Sequence, residues 1–596
     1  MRHPYLLDSF HHGRRPAHCK IERALSTRNL MPGMLIVLSL VAISIDTGRQ
    51  ALLITSQTQP SVPSGPTTSY VTMFQIQQNS TDPSPWLVAP GSDKTVWIVT
   101  EGSGRHPFSQ LLNFTVGSGF ERVATLPNSF PSDIVYDNIT TDNSRRVWIL
   151  ENDSLVDYNT ISKNLTVAAT FRGSPWYMTL DHNDHFWITL TNPDQIVEYY
   201  PGENPVFHNI TNTCVETTYG CGLQGIALDP RDDSLWFAEL YVGRIGHMMC
   251  NSSTQCSMTD YGPPSGADTL GLIQLTVDRN GLVWFTLHAG NEFGSFNPAT
   301  GEWRIFPIGY CPDSYVNGCA TGLPNAIFLD SRGQVWFSEH IAGRIATIVP
   351  NNESDALKHG ALVEYNLPTY SETCPRRCVP LTWWMRPGPS DLIWFSAYGL
   401  GEIGFVNATV PIPFNVRSSS DVGLVQGESV QIPVTMSFVG DAPHLNMSTS
   451  RSDITADPPM LSWSIRQQIT PGVIDSSNLT ITLSASWSST LQSRYVAVSG
   501  YNGNVTVNTF VKVDVVPSLV AYSTVGVAAV ISAFSMISAG LTIVSTLRKR
   551  KKSTCHPSGQ ENDQTSSISM KTSSGARILM SRFKKRSFGS TSISRL

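Results

Sequence analysis

The sequence predicts an all-β protein, and three observations carry that expectation. A tryptophan between apolar residues recurs seven times, at 97, 148, 187, 236, 284, 336 and 394. Charged residues make up only 15% of the chain while Gly (44) and Pro (38) are frequent, which suits short strands and tight turns. Long amphipathic helical patterns are missing beside these repeats. A period near 40–50 residues built of short strands is the mark of radial four-stranded blades. The expected fold is therefore a seven-bladed β-propeller over 66–407, an immunoglobulin-like β-sandwich over 412–516 and one C-terminal transmembrane helix over 518–547.

At the start of the chain, 1–45 reads as a basic leader and a signal peptide or signal anchor. The apolar stretch from Met34 to Ile45 follows basic residues and ends in Ala42-x-Ser44. Cleavage near Ser44, an uncleaved anchor, and initiation at Met31 or Met34 all stay open. Residues 46–65 form a linker. Within the propeller, Tyr70-Val-Thr-Met-Phe-Gln-Ile-Gln77 precedes the first blade and is expected to close the ring by pairing with the seventh. Each repeat reads as alternating strands around a turn whose aspartate recurs at Asp181, Asp229, Asp278 and Asp330, where it can accept backbone amides two residues on. The recurrent Trp is expected to pack between blades rather than to touch a ligand.

Beyond 412 the Trp repeat stops and Val/Thr/Ser-rich strands appear without cysteine, a composition expected to serve as a spacer. Val515 to Leu547 contains no charge, and Arg548-Lys-Arg-Lys-Lys552 follows at once. About 20 apolar residues span a bilayer and clustered basic residues stay cytoplasmic, so the basic tail 548–596 is expected inside, and disordered.

Charge and cysteine usage agree with an extracellular body. The net charge of −5 hides a surplus of +10 in 548–596, +4 in 1–33 and −19 in between, which excludes nucleic acid as a partner of the body. Twelve Asn-x-Ser/Thr sequons occur, all outside the basic tail, so a disulfide-bonded glycoprotein is expected. Eight of the ten cysteines fall in close pairs, Cys214/Cys221, Cys250/Cys256, Cys311/Cys319 and Cys374/Cys378. Local disulfides on the propeller-mouth face are the simplest reading among many connectivities, and a zinc site lacks the tight Cys-x-x-Cys spacing.

The stretches LWFAELYVGRIG from Leu235, VWFSEHIAGRIA from Val335 and IWFSAYGLGEIG from Ile393 resemble the repeat of streptogramin B lyases, the virginiamycin B lyase family. The likeness runs over roughly 66–407 and is clearer in blades four to seven. It implies a carbon–oxygen lyase with a general base and Mg2+ bound by carboxylates. This sequence departs where those groups are expected. Asn325 stands in place of a His, Leu381 to Trp384 in place of Glu-x-His, Tyr398 in place of a Glu, and Trp86 near a Tyr. Without an imidazole or carboxylate there, the proton has no acceptor and the metal no oxygen ligands. No cofactor is therefore expected, with Mg2+ belonging only to a lyase reading.

The positions lining the mouth are Trp86, Ser132, Trp176, Gln224, Ile273, Asn325 and Trp383, joined by Glu101, Glu151, Glu239, His288, Glu339, His340 and Tyr398 at the second-strand ends. Of these, Trp86, Trp176, Gln224, Asn325, Trp383 and Tyr398 are the expected binding residues, and Glu239, Glu339 and His340 the candidates for any surviving catalysis. Three functions follow: a cell-surface propeller binding a small molecule, glycan or protein partner at its mouth, a divergent lyase or hydrolase, or an envelope structural protein.

Overall fold

The computed structural model describes 68–518 apart from 77–82, 92–93, 103–106, 138–144, 211–219, 253–254, 265–268, 270, 309–321, 350–360, 369–379, 419–420, 441–442, 449–453, 458–459 and 462–474, together with 532 and 535–546. It falls into two units, one ending at Ser518 and one from Leu519 to Leu596.

The first unit is all β. Seven sheets share one antiparallel plan, with innermost strands Pro85–Pro90, Pro131–Asp137, Ser174–Leu180, Leu223–Leu228, Leu272–Val277, Pro324–Leu329 and Met385–Pro387. Each innermost strand contacts the next and the seventh returns to the first, so the sheets are blades around a closed ring. Closure comes from the other end of the chain. Val71–Gln75 is the outer strand of blade seven, with Val71 opposite Val406 and Gln75 opposite Glu402. An open ring would leave the Glu402–Asn407 edge unpaired, and this strand covers it.

The repeated residues explain the blades. All seven recurrent tryptophans lie on second strands and are at most 6% exposed. In blades three, five and six the turn aspartate takes the indole N–H: Trp187 to Asp181 at 2.9 Å, Trp284 to Asp278 at 3.0 Å and Trp336 to Asp330 at 3.2 Å. Its other oxygen accepts the amides two and four residues on, from Asn183 and His185, Asn280 and Leu282, Arg332 and Gln334. One carboxylate thus satisfies a turn and a buried indole together.

Blade six differs from the rest. Its outer strand Ala361–Asn366 pairs with the last strand of the following region, Val505–Val516, with Leu362 opposite Asn508 and Tyr365 opposite Val505. That strand continues in register to Ser493–Tyr501 and lies parallel to Asp421–Val425. A second sheet, Phe414–Ser418, Ser429–Phe438, Asp475–Ala485 and Ile454–Asp457, packs on it. The region expected as a spacer is thus joined to the propeller through a shared sheet. Phe510 sits against Phe293 and Phe306, and Tyr495 lies 4.4 Å from Phe306, joining both to one apolar core.

In the second unit the described residues 535–546 are helical. No helix among the described residues is long and apolar enough to cross a membrane, and most of 518–547, like 1–67, lies outside them.

Candidate functional site

The innermost strands share an irregularity at the end where the mouth lies. The ladder to the second strand shifts register between Pro85 and Leu87, Pro131 and Asp133, Pro175 and Met178, Leu223 and Ile226, Leu272 and Gln274, and Pro324 and Ile327. A bulge leaves its residues out of the ladder and re-aims their side chains, as bulges do at barrel rims. Trp86, Ser132, Trp176, Gln224, Ile273 and Asn325 are these residues.

In blades three, five, six and seven the third residue of the Trp-Phe/Ile-Ser/Thr repeat is a hydroxyl that bonds the start of an innermost strand. Thr189 Oγ1 accepts the Tyr177 amide of its own blade at 3.2 Å and donates to the Gln224 carbonyl of the next at 2.6 Å. Ser396 repeats the arrangement, accepting from Trp384 at 3.3 Å and donating to the Trp86 carbonyl at 2.8 Å. Thr286 reaches the Asn325 carbonyl at 2.8 Å. A hydroxyl serves here because it can donate and accept at once.

Four blades bring aromatic rings together at the mouth. Trp86 of blade one stacks on Trp383 of blade seven at 5.1 Å and 19°, and Tyr398 meets Trp86 edge-on at 4.9 Å. His340 of blade six lies edge-on to Trp383 at 5.1 Å and 2.9 Å from the Tyr398 hydroxyl through Nε2. His288 of blade five stacks on His340 at 5.7 Å. The sequence places both histidines at second-strand ends, without pairing them. They are adjacent, because the ends of consecutive second strands converge on the axis. Asn325 is fully buried and donates Nδ2 to the Trp383 carbonyl at 2.7 Å, fixing the loop that carries the ring. Trp176, on blade three, donates to Thr191 Oγ1 at 3.0 Å and stands outside this cluster, and Gln224 is buried at the start of blade four.

Protonation follows from burial. His288 donates Nδ1–H to the Pro324 carbonyl at 3.2 Å, and desolvation holds its pKa down to about 4. Burial, and then the neighbouring His288, keep His340 well below the usual imidazole value. Both rings are neutral near pH 7. Burial and then Glu101 raise the Tyr398 hydroxyl, so it too is uncharged.

The carboxylate candidates do not face the mouth as free bases. Glu339 Oε2 accepts Arg344 Nε at 2.6 Å, and Arg344 Nη1 reaches Glu364 at 3.0 Å, with all three side chains fully buried. Removing Arg344 would leave two carboxyls buried without their cation, which marks a structural triad. Glu239 occupies the matching place in blade four, buried opposite Arg244. Glu151 is also buried; it accepts the Asn128 amide at 3.2 Å, and desolvation pushes its pKa up to about 7. No group of three metal-ligating side chains occurs among the described residues.

Below the aromatic layer the channel holds a cross-ring contact that sequence reading missed. Asp133 of blade two accepts Arg386 Nη2 of blade seven at 2.8 Å, along with the amides of Ile134 and Met178. The guanidinium lies 4.3 Å over Phe328, and Trp384 stacks on Tyr177 at 5.6 Å. Trp384 carries no chemistry at the mouth; it is fully buried in this plug.

The cysteines divide between the faces. Cys221, just ahead of the innermost strand of blade four, is disulfide-bonded on the mouth face. Cys250–Cys256 joins the third and fourth strands of that blade at their hairpin, on the opposite face, because a hairpin between those strands turns away from the mouth. The expected mouth-face position fails for this pair. Cys214, Cys311, Cys319, Cys374 and Cys378 lie outside the described residues.

Among solved structures, this chain is similar to virginiamycin B lyase from Staphylococcus aureus at 19% identity, over 56% of this chain and 98% of that one, with a TM-score of 0.43. The likeness is to a lyase propeller. Weaker likenesses link the same region to a gluconolactonase from Xanthomonas campestris (11% identity, 45% of this chain, 86% of that one, TM-score 0.30) and a regucalcin from Agrobacterium tumefaciens (14%, 46%, 86%, 0.30). No family model and no curated protein matches the chain. At such identities only the propeller architecture is shared, and function has to be argued from the site.

Proposed function

We propose that this chain is a membrane-anchored, cell-surface propeller that binds an uncharged, ring-bearing ligand, a glycan above all, at the mouth formed by blades five, six, seven and one. The observation that carries it is the layer of Trp86, Trp383, Tyr398, His340 and His288. Trp86 and Trp383 are half-buried, so each keeps ring surface for stacking while its neighbours hold its orientation. The imidazoles and the phenol beside them are uncharged, so the layer does not favour a charged ligand.

Anchoring is supported by the charge-free run from Val515 to Leu547 and the five basic residues after it. The two packed sheets after the propeller are read as immunoglobulin-like, on the parallel pairing of Asp421–Val425 with Val505–Val516 and the split of the first strands between sheets. Catalysis of the lyase type is not favoured, since Glu339 is committed to Arg344 and both mouth histidines are neutral hydrogen-bonding groups.

Thermal shift of the full chain in detergent, against glycans, divalent metals and cyclic peptides, tests the proposal. Stabilisation by a glycan that Trp383→Ala abolishes supports it. Stabilisation by a divalent metal alone, lost in Glu101→Gln or Glu151→Gln, would replace it with an enzyme reading.

A further inference from the structure

The end of the sandwich from which the chain leaves the first unit is unlike the rest of its surface. Trp487 is 61% exposed, Leu491 51% and Val516 42%. Three contacts gather them. The Trp487 ring lies over Gly427, where an added Cβ would sit 2.4 Å from the indole. Gln426, the residue before, donates its amide to the Val516 carbonyl at 3.0 Å and its side chain to the Ser489 carbonyl at 2.5 Å. Gly427 donates to the Ala485 carbonyl at 3.0 Å, tying the same turn to the loop that carries Trp487 and Leu491.

That loop, Ala485-Ser-Trp-Ser-Ser-Thr-Leu-Gln492, has no ionisable side chain in a chain whose body is strongly acidic. Exposed Glu428 flanks it on one side, and on the other Arg494 donates to the Thr490 carbonyl at 3.0 Å. Tryptophan, leucine and hydroxyls without charge make the composition of a surface lying at headgroup depth, where an indole buries its apolar body and keeps its N–H wet.

We infer that this end of the sandwich, led by Trp487 and Leu491, rests in the interfacial layer of the bilayer that anchors the chain. The inference rests on the anchoring reading given above. The occupant is set by where the chain goes next. The 30 residues 518–547 carry no charge. Roughly 20 of them fill the hydrocarbon core, leaving about ten to cross the headgroups. The patch therefore lies within about ten residues' reach of the membrane surface. Val439, equally apolar at 44% exposure, sits at the other end of the same sandwich beside Pro413 and supplies an internal control.

The test uses the full chain with Cys19 and Cys555 changed to Ser, reconstituted in phosphatidylcholine vesicles carrying a headgroup spin label. An environment-sensitive fluorophore is placed at Leu491→Cys, at Ser488→Cys or at Val439→Cys. Quenching at 488 and 491 at least twofold that at 439 is expected. A chain that floats with the vesicles but shows equal quenching at the three positions would overturn the inference and leave anchoring standing. Loss of the chain from the vesicles at alkaline pH would overturn both.

Discussion

Two sets of tryptophans divide the propeller. Those that recur at second-strand positions are buried between blades and, in blades three, five and six, clasped by the turn aspartate. Trp86, Trp176 and Trp383 occupy a place that other blades fill with Ser132, Gln224, Ile273 and Asn325; they sit at or beside the irregular starts of innermost strands, half-buried around the channel. Repetition here marks residues whose surroundings are the same in every blade. Departure from it marks the places where the chain is free to specialise.

Substitutions sharpen that division in order of size. Trp336→Ala should cost about 3–5 kcal/mol, because the largest fully buried ring in blade six leaves a cavity; chemical denaturation checks it. The acid limb should come next. His288 has a folded pKa depressed to about 4, so the unfolded chain binds the extra proton between its ordinary value near 6.5 and 4. Stability from this group is present above about 6.5 and is lost as pH falls toward 4, by up to about 3 kcal/mol. Glu151 acts with opposite sign, since its raised pKa of about 7 favours the folded state below about 4.5 and gives that up toward 7. The wild type minus His288→Gln difference in melting temperature across pH 4–7 isolates the histidine.

Asp330→Ala follows at about 1–3 kcal/mol, for the indole and the two amides it leaves without an acceptor. Smallest should be Trp383→Ala, with a stability loss of about 1 kcal/mol or less beside complete loss of ligand binding, since its ring meets solvent on one side. A large destabilisation by Trp383→Ala together with a small one by Trp336→Ala would invert the comparison.

The ring was legible because each blade repeats a local pattern. Tryptophan spacing and turn aspartates lie close to what they signal, and Asp181, Asp278 and Asp330 accept the backbone amides that turn chemistry requires. What stayed hidden depends on closure. Asp133 and Arg386 are 253 positions apart and meet only because ring closure sets blades seven and two on either side of blade one. The pairing of Ala361–Asn366 with Val505–Val516 leaves no local mark, since a valine-rich edge looks the same whichever strand covers it. At the mouth, the residue types were readable but their partners were not. Glu339 looked like a base until Arg344, five residues on, turned back against it across a tight strand connection.

Binding at the mouth is tested most directly by a paired measurement on the full chain in detergent micelles. Glycan-array binding and melting temperature are recorded for wild type, Trp86→Ala and Trp383→Ala. The account predicts that both variants lose the wild-type array signal while their melting temperatures stay within a few degrees of it. A wild-type signal that persists in both well-folded variants, or no wild-type signal on any glycan, would contradict it.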